Sequence, residues 1–358
     1  GRRRALGQGF DFLESGTTMT TLQLLRRFSL APLTGLAYLV LSLGLPRRLV
    51  DLPYDKALPL WIPTYDGSGQ AVHPDILGQI PGPDGVAGPN GAAAPFVLAM
   101  TPYPYSVDAF ENPSILVSKD GLRFYEEKRG TNPVAKKPSR DHNDDPDISF
   151  VDGRYLLFYL ETLRPDRQNL VLLESQDRLA WTRRAAFPYE LGGPKPEPFI
   201  VSPALAERNG AFRLFYVNTS ARPFRVEYME SRSIDSWDKG KAKIATIGGM
   251  TGIPWHLDLV RGGEWYYMLL TTLYEDDHGR KRYDLSVARS RDLEAWTLSP
   301  LPAIVSRPWG CVDVYRSSAL VEGGDLFIYF SYETSIHEWR IALERRRIPD
   351  LFGQSGQD

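Results

Sequence analysis

The sequence predicts an all-β protein: a five-bladed β-propeller preceded by an apolar, helix-compatible N-terminal extension. Three observations carry this prediction. A three-strand phrase recurs five times in one order, its copies start about 72, 57, 54 and 61 residues apart, and tight Asp-Gly, Asn-Gly or Gly-Gly turns join its strands. A β-sandwich has no reason to repeat one phrase five times, and solenoid coils need shorter, more regular units.

The chain meets its first Met at Met19, after Gly1-Arg2-Arg3-Arg4. Arg26 and Arg27 then precede an apolar run from Phe28 to Leu45, closed by Arg47 and Arg48. That order suits an export signal or membrane anchor. The missing small-x-small cleavage site, together with Pro32 and Gly35, suits a helix packed on the propeller. Both readings stand, and the organisation expected is an extension over 1–52, a propeller over 53–347 and a tail over 348–358. The extracytoplasmic side, secreted or anchored, is favoured over the cytoplasm, and membrane contact is expected only if the run is an anchor.

The first repeat opens at His73-Pro74-Asp75-Ile76, carries a Gly/Pro-rich insertion from Pro81 to Ala94, and continues through Phe96–Met100 and Ser114–Val117. The second opens at Asp145-Pro146-Asp147-Ile148, turns at Asp152-Gly153, runs through Tyr155–Tyr159 and Leu170–Glu174, and ends in Ser175-Gln176-Asp177 and Trp181. The third opens at Ser202-Pro203, turns at Asn209-Gly210 and ends at Ser231 and Trp237. The fourth runs from His256-Leu257-Asp258-Leu259 through Gly262-Gly263 to Ser290-Arg291-Asp292 and Trp296. The fifth has Ser317-Ser318-Ala319-Leu320, Gly323-Gly324 and Trp339–Leu343. A strand at Leu58–Ile62 is the candidate for closing the ring against the last blade.

Composition narrows the chemistry. Of 358 residues, 42% are hydrophobic and 24% charged, and the 42 basic and 44 acidic side chains nearly cancel, so no nucleic-acid partner is expected. Aromatic residues make up 12%, which suits stacking on sugars as well as ordinary strand packing. The single cysteine, Cys311, excludes an internal disulfide and a thiolate zinc site. None of the five histidines falls in HExxH spacing. No cofactor or catalytic metal is therefore expected; an oxygen-ligated structural calcium ion is compatible with the composition.

In a propeller the first strand of each blade lines the central channel, so the opening phrases meet at one mouth. Asp75, Asp145, Asp147 and Asp258 should converge there with His73, His256 and Ser202, and second strands should return Glu161, Asn218, Thr271 and Glu333 to equivalent ends. Carboxylates crowded in one funnel raise one another's pKa at a cost in stability, which points to function. Asp beside Pro also caps turns, the plainer role for any one of them. Two connections stand out: Tyr103-Pro104-Tyr105 with Asp108 to Pro113, including Glu111, and the acidic Asp141 to Asp147. A third, Gly192 to Pro198, places Lys195 and Glu197 before the third blade.

The repeat count, Asp145-Pro146-Asp147-Ile148 and Asp152-Gly153-x-Tyr155 together resemble the five-bladed propeller glycoside hydrolases of the family-43 and family-32 type, from about His73 to Glu344. The resemblance implies an Asp before Pro in the first blade as base or nucleophile and an Asp before Pro in the second that tunes pKa and holds sugar. It also implies a Glu at the start of the third blade as acid. Only the second matches, at Asp145. His73 occupies the first position with Asp75 two residues on, and Ile200-Val201-Ser202-Pro203 offers no acid. The chain is either a divergent branch with relocated carboxylates or a propeller that no longer catalyses.

The resulting expectation is a glycoside hydrolase acting on a bacterial or extracellular polysaccharide through one protonated and one ionised carboxyl group. Asp75 is assigned as base or nucleophile, Asp145 and Asp147 as sugar-holding and pKa-tuning groups, and Glu111 or Glu197 as acid. Substrate contacts are assigned to His73, His256, Asp258, Glu161 and Glu333. Trp255, Trp309, Tyr103 and Tyr105 are assigned to stacking, and Arg316 to an acidic sugar. The alternative is a non-catalytic glycan-binding propeller beside polysaccharide assembly or export.

Overall fold

A computed structural model describes residues 46–78, 96–163, 167–190, 200–276 and 278–353. The apolar run Phe28–Leu45, the insertion Pro81–Ala94 and the Gly192–Pro198 loop with Glu197 lie outside the described residues. No helix among those described is long and apolar enough to cross a membrane.

Among the described residues, twenty strands form five sheets. In chain order, β1 is Leu58–Leu60. The first blade follows with β2 (Ala71–Gly78), β3 (Phe96–Pro102) and β4 (Ser114–Ser118). The second holds β5 (His142–Val151), β6 (Arg154–Leu163), β7 (Arg167–Ser175) and β8 (Thr182–Glu190). The third holds β9 (Ile200–Arg208), β10 (Ala211–Asn218), β11 (Arg225–Ser231) and β12 (Lys243–Ile244). The fourth takes β13 (Thr246–Gly248) on its outer edge, beside β14 (Ile253–Gly262), β15 (Trp265–Glu275), β16 (Lys281–Ser290) and β17 (Ala295–Leu298). The fifth has β18 (Cys311–Glu322), β19 (Asp325–Thr334) and β20 (Trp339–Arg347). Within each blade successive strands pair antiparallel, so the architecture is the five-bladed propeller that the repeats predict.

The recurring Ser-x-Asp phrase has a local cause. Ser118, Ser175 and Ser290 donate through Oγ to the Oδ1 of Asp120, Asp177 and Asp292 at 3.0, 3.1 and 2.9 Å. Each Asp oxygen then accepts two backbone N–H groups of the turn that follows, such as those of Leu179 and Ala180 at 2.9 Å each. The side chains thus satisfy donors that the sheet leaves unpaired. Trp181 and Trp237 finish the turn by donating Nε1 to the carbonyls of Arg178 and Ile234 at 2.8 and 2.9 Å.

Burial follows the ring. Five hydrophobic clusters each fill the space between two neighbouring blades; Leu156, Phe158 and Leu160 of β6, for example, face Leu214 and Tyr216 of β10. The ring closes where β1 pairs antiparallel with β20, Leu58 opposite Leu343 and Leu60 opposite Ile341. Leu60, together with Leu49 and Leu52 from the end of the extension, is buried in the cluster joining the last blade to the first. Leu60→Ala removes buried methyl groups from that closure and should lower stability by about 2–5 kcal/mol in urea unfolding.

Candidate functional site

The inner strand of every blade breaks register near its start. The shifts lie between Val72 and Asp75, between Asp144 and Asp147, opposite Phe215–Val217 in the third blade, between Pro254 and His256, and between Val314 and Ser317. In the first three, the residue before proline has left-handed φ: His73 at 53°, Asp145 at 49° and Ser202 at 53°. A residue before proline ordinarily prefers extended backbone, so this conformation is held by its surroundings. Such bulges re-aim side chains, and here they gather His73, Asp145, Ser202, His256 and Arg316.

Asp145 is the hub. Its Oδ1 accepts Nη1 of Arg316 at 3.1 Å and lies 3.5 Å from both His73 Nε2 and His256 Nδ1; its Oδ2 accepts the Ser202 N–H at 2.8 Å. Arg316 is wholly buried and also donates to the Pro146 carbonyl at 3.0 Å. Burial opposes ionisation of Asp145, but His73, His256 and Arg316 together hold its carboxyl well below the usual range. His73 Nδ1 meets Thr101 Oγ1 at 3.1 Å and Glu111 Oε2 at 3.2 Å. Burial alone would lower the His73 pKa, yet the Asp145 and Glu111 carboxylates raise it. Burial pushes the Glu111 carboxyl up, with His73 pulling against it.

His256 differs. Burial, with the charges of His73 and Arg316, lowers its pKa to about 3, so it is neutral at ordinary pH. Its Nδ1 contacts Ser202 Oγ at 2.6 Å, while its buried Nε2 has no hydrogen-bond partner. Ser202 and Asp145 share one nitrogen of this ring, which rules out a serine-histidine-aspartate relay, where each partner needs its own nitrogen. The set instead suits a cation: one ligand atom from each of His73, Asp145 and His256 falls within 4.8 Å of the others. Two imidazoles and a carboxylate are a donor set for zinc, manganese or iron.

Two residues further along the inner strands lies a second layer. Asp75 accepts the Ile148 N–H through Oδ2 and Ser318 Oγ through Oδ1, the latter at 3.1 Å. Asp147 accepts the Leu205 N–H at 3.3 and 3.4 Å. Each carboxylate therefore ties its blade to the next one round the ring. Asp258 completes the layer. Burial, with Arg316 opposing, pushes Asp75 up to about 6; burial and Asp75 push Asp258 up to about 8. Asp147 is raised well above its usual range by burial, Asp75 and Asp258.

On the other side of Glu111, His142 lies between Asp141, at Nδ1, and Asp144, 3.2 Å from Nε2. Burial opposes a charge here, but the two carboxylates raise the His142 pKa well above its usual value. The acidic stretch Asp141–Asp147 thus divides between this ion cluster, the hub and the inter-blade tie.

Of the remaining candidates, Tyr103 packs on Trp339 with ring centroids 5.7 Å apart, and the N–H of Tyr105 donates to Gln70 Oε1 at 3.0 Å. Trp255 is buried and donates Nε1 to Tyr315 Oη at 2.9 Å. Glu161 is paired with Arg183 at 3.0 Å, and Glu333 with His337 at 2.7 Å. Trp309 is 98% exposed on the connection into the fifth blade, and Arg316 is committed to Asp145.

Sequence reasoning missed Tyr315. Its ring lies 4.5 Å from His256, 5.8 Å from His73 and 5.2 Å from Trp339, and Tyr283 meets it at 5.4 Å. It forms an aromatic wall beside the hub, a surface of the kind sugars stack on. The signal was present: Tyr315-Arg316 occupies the fifth blade's bulge, one step before the Ser317-Ser318 phrase used to align that repeat.

No family model matches the chain, and no curated protein matches it. Solved structures do. An N-acetylgalactosamine deacetylase from F. plautii, solved with blood group B trisaccharide, aligns over 84% of this chain and 97% of its own at a TM-score of 0.65 and 17% identity. A thermostable family-43 glycoside hydrolase aligns over 78% and 89% at a TM-score of 0.54 and 12% identity. An arabinanase from Bacillus subtilis aligns over 77% and 94% at a TM-score of 0.51 and 13% identity. At these identities the likeness is one of fold, and the chain shares its five-bladed propeller with carbohydrate-active proteins of both kinds.

Proposed function

We propose that the protein is a carbohydrate-active hydrolase that removes an acyl group, N-acetyl being the first to test, from a sugar presented at the channel mouth. The observation that carries this reading is the convergence of His73 and His256 on the ionised Asp145, with His256 Nε2 buried and unpartnered. The glycosidase resemblance expects a carboxylate where His73 stands and an acid where Ser202 stands; their replacement by nitrogen and hydroxyl donors suits a divalent cation better than a two-carboxylate mechanism. A similarly folded protein that deacetylates N-acetylgalactosamine supports the choice of substrate class.

A cation on His73, Asp145 and His256 would supply a Lewis acid for the acyl carbonyl and an acidified water. The chain's own groups do the rest. Arg316 and the Ser202 N–H fix the Asp145 carboxylate. Ser202 Oγ holds the His256 ring through Nδ1, and Nε2 stays buried with no hydrogen-bond partner among the described residues, a neutral nitrogen that a cation could use. Glu111, buried against His73, is the nearest group to exchange a proton with the water or the departing amine. Tyr315 offers a ring face to the sugar. Hydrolysis adds the elements of water across the acyl bond, giving a carboxylic acid and a free amine or hydroxyl.

The second reading is glycosidic cleavage of a bacterial or extracellular polysaccharide. The favouring observation is that His73 bridges an ionised carboxylate, Asp145, and a carboxyl raised by burial, Glu111, the base-and-acid contrast such chemistry needs. Asp75 and Asp147 would then be tuning groups. One assay separates the two: acetate and new reducing ends are measured on a panel of N- and O-acetylated and non-acetylated oligosaccharides, with added zinc or manganese. Acetate release that falls at least about 100-fold in His256→Ala, and on chelation, supports the first reading. Reducing ends without acetate, lost in Glu111→Gln, support the second. Binding with neither product leaves a glycan-binding propeller.

A further inference from the structure

The layer beneath the hub gathers three buried carboxyl groups into one small space. Asp75, Asp147 and Asp258 come from blades one, two and four, are 4%, 4% and 1% exposed, and bring one oxygen each within 4.8 Å of the others. Arg316 is the cation that faces them, and its hydrogen bonds go to Asp145 and Pro146. Each could stay neutral by keeping its own proton, but a buried O–H then needs an acceptor. Among the hydrogen bonds of the described residues the three carboxyl groups make none with one another: Asp75 turns to Ile148 and Ser318, and Asp147 to Leu205. Asp258 is hydrogen-bonded by Ser318 and the Leu259 N–H, but its Oδ2 is buried with no hydrogen-bond partner among the described residues. A buried, unsatisfied carboxylate oxygen facing two other carboxylates calls for an ion.

We propose that Asp75, Asp147 and Asp258 bind a hard divalent cation, calcium in the first instance, on the channel axis. All the ligand atoms are oxygens from three rigid inner strands, which is the chemistry of calcium or magnesium rather than of the nitrogen-containing hub. The site closes a circuit. Asp75 ties blade one to blades two and five, and Asp147 ties blade two to blade three. An ion between them and Asp258 adds blade four. Its function is to lock the ring beneath the reaction site, and it stands whether or not the hub is an acyl hydrolase.

The test uses the full chain, stripped with chelator and titrated calorimetrically with calcium chloride, with magnesium and zinc chloride as parallel arms. One equivalent of calcium should bind. Asp258→Asn and Asp147→Asn should each weaken it at least about tenfold, while His256→Ala leaves calcium binding intact and weakens zinc. Should Asp147→Asn fail to fold by circular dichroism because it holds the Leu205 N–H, Asp258→Asn carries the test, since Asp258 Oδ2 holds no group among the described residues. A folded wild type that takes up no calcium or magnesium overturns the site, as does calcium binding that survives Asp258→Asn but is lost in His256→Ala. A wild type that binds calcium but no zinc would count against the hub and leave this site untouched.

Discussion

Asp145→Ala should lower stability by about 3–5 kcal/mol, the largest loss expected of any single substitution at the mouth. The reason is what it leaves behind. Arg316 is wholly buried, and its guanidinium bonds to Asp145 Oδ1 and to the Pro146 carbonyl while its Nε already lacks a partner. Without Asp145 a full positive charge stays buried beside His73, and the Ser202 N–H loses its acceptor. Removing both charges should hurt less than removing the anion alone. Asp145→Ala with Arg316→Met is therefore expected to recover at least about 1 kcal/mol over Asp145→Ala in urea unfolding, a coupling a double-mutant cycle reads directly. If the double variant is no more stable than the single, Arg316 is not held by Asp145 in the way the geometry states.

The fold was legible because propeller blades are local. Each is a run of strands joined by short turns, so its hydrophobic alternation, its Gly-containing turns and its Ser-x-Asp lock all lie within some 60 residues of one another. The closing strand expected within Leu58–Ile62 is found at Leu58–Leu60 against the last blade. Aligning the opening phrases also located the channel mouth, since equivalent positions in a cyclic fold must meet. What the alignment could not supply was depth. Asp75 and Asp145 belong to one phrase, yet two residues along an inner strand separate a tie between blades from the hub of the mouth. The register shifts that turn His73 and Asp145 inward depend on strained φ values before proline, and no residue pattern announces them. The pairing of Arg316 with Asp145 spans 171 residues and the channel itself. An unaligned sequence leaves that arginine looking like a hook for an acidic sugar.

In the cation-free protein the inner carboxyl layer should favour folding most near pH 4 and lose that contribution steadily up to about pH 8. His256, whose pKa is lowered to about 3, works against this decline up to about pH 6.5. Asp75 has its pKa raised to about 6 and Asp258 to about 8, chiefly by burial, and Asp147 moves the same way. In the unfolded chain all three ionise near pH 4. Below that pH both states are protonated and these groups are indifferent to folding. Above it the unfolded chain releases protons that the folded one retains, so the unfolded state binds fewer protons and stability falls as pH rises. The fall ends once the folded groups have ionised too, near pH 8 for Asp258. Because the three share one cluster their losses are not independent, and a total on the order of 5 kcal/mol is expected over the window. Asp145 works in the opposite sense: its carboxyl is held below its ordinary value, so its contribution is intact above pH 4 and disappears only in stronger acid. Unfolding curves in urea from pH 4 to 8, in chelator, would show the decline, and Asp258→Asn should flatten part of it by removing a group whose window reaches about pH 8. A pH dependence that Asp258→Asn leaves unchanged would mean that the inner carboxylates are already ionised and compensated in the folded ring.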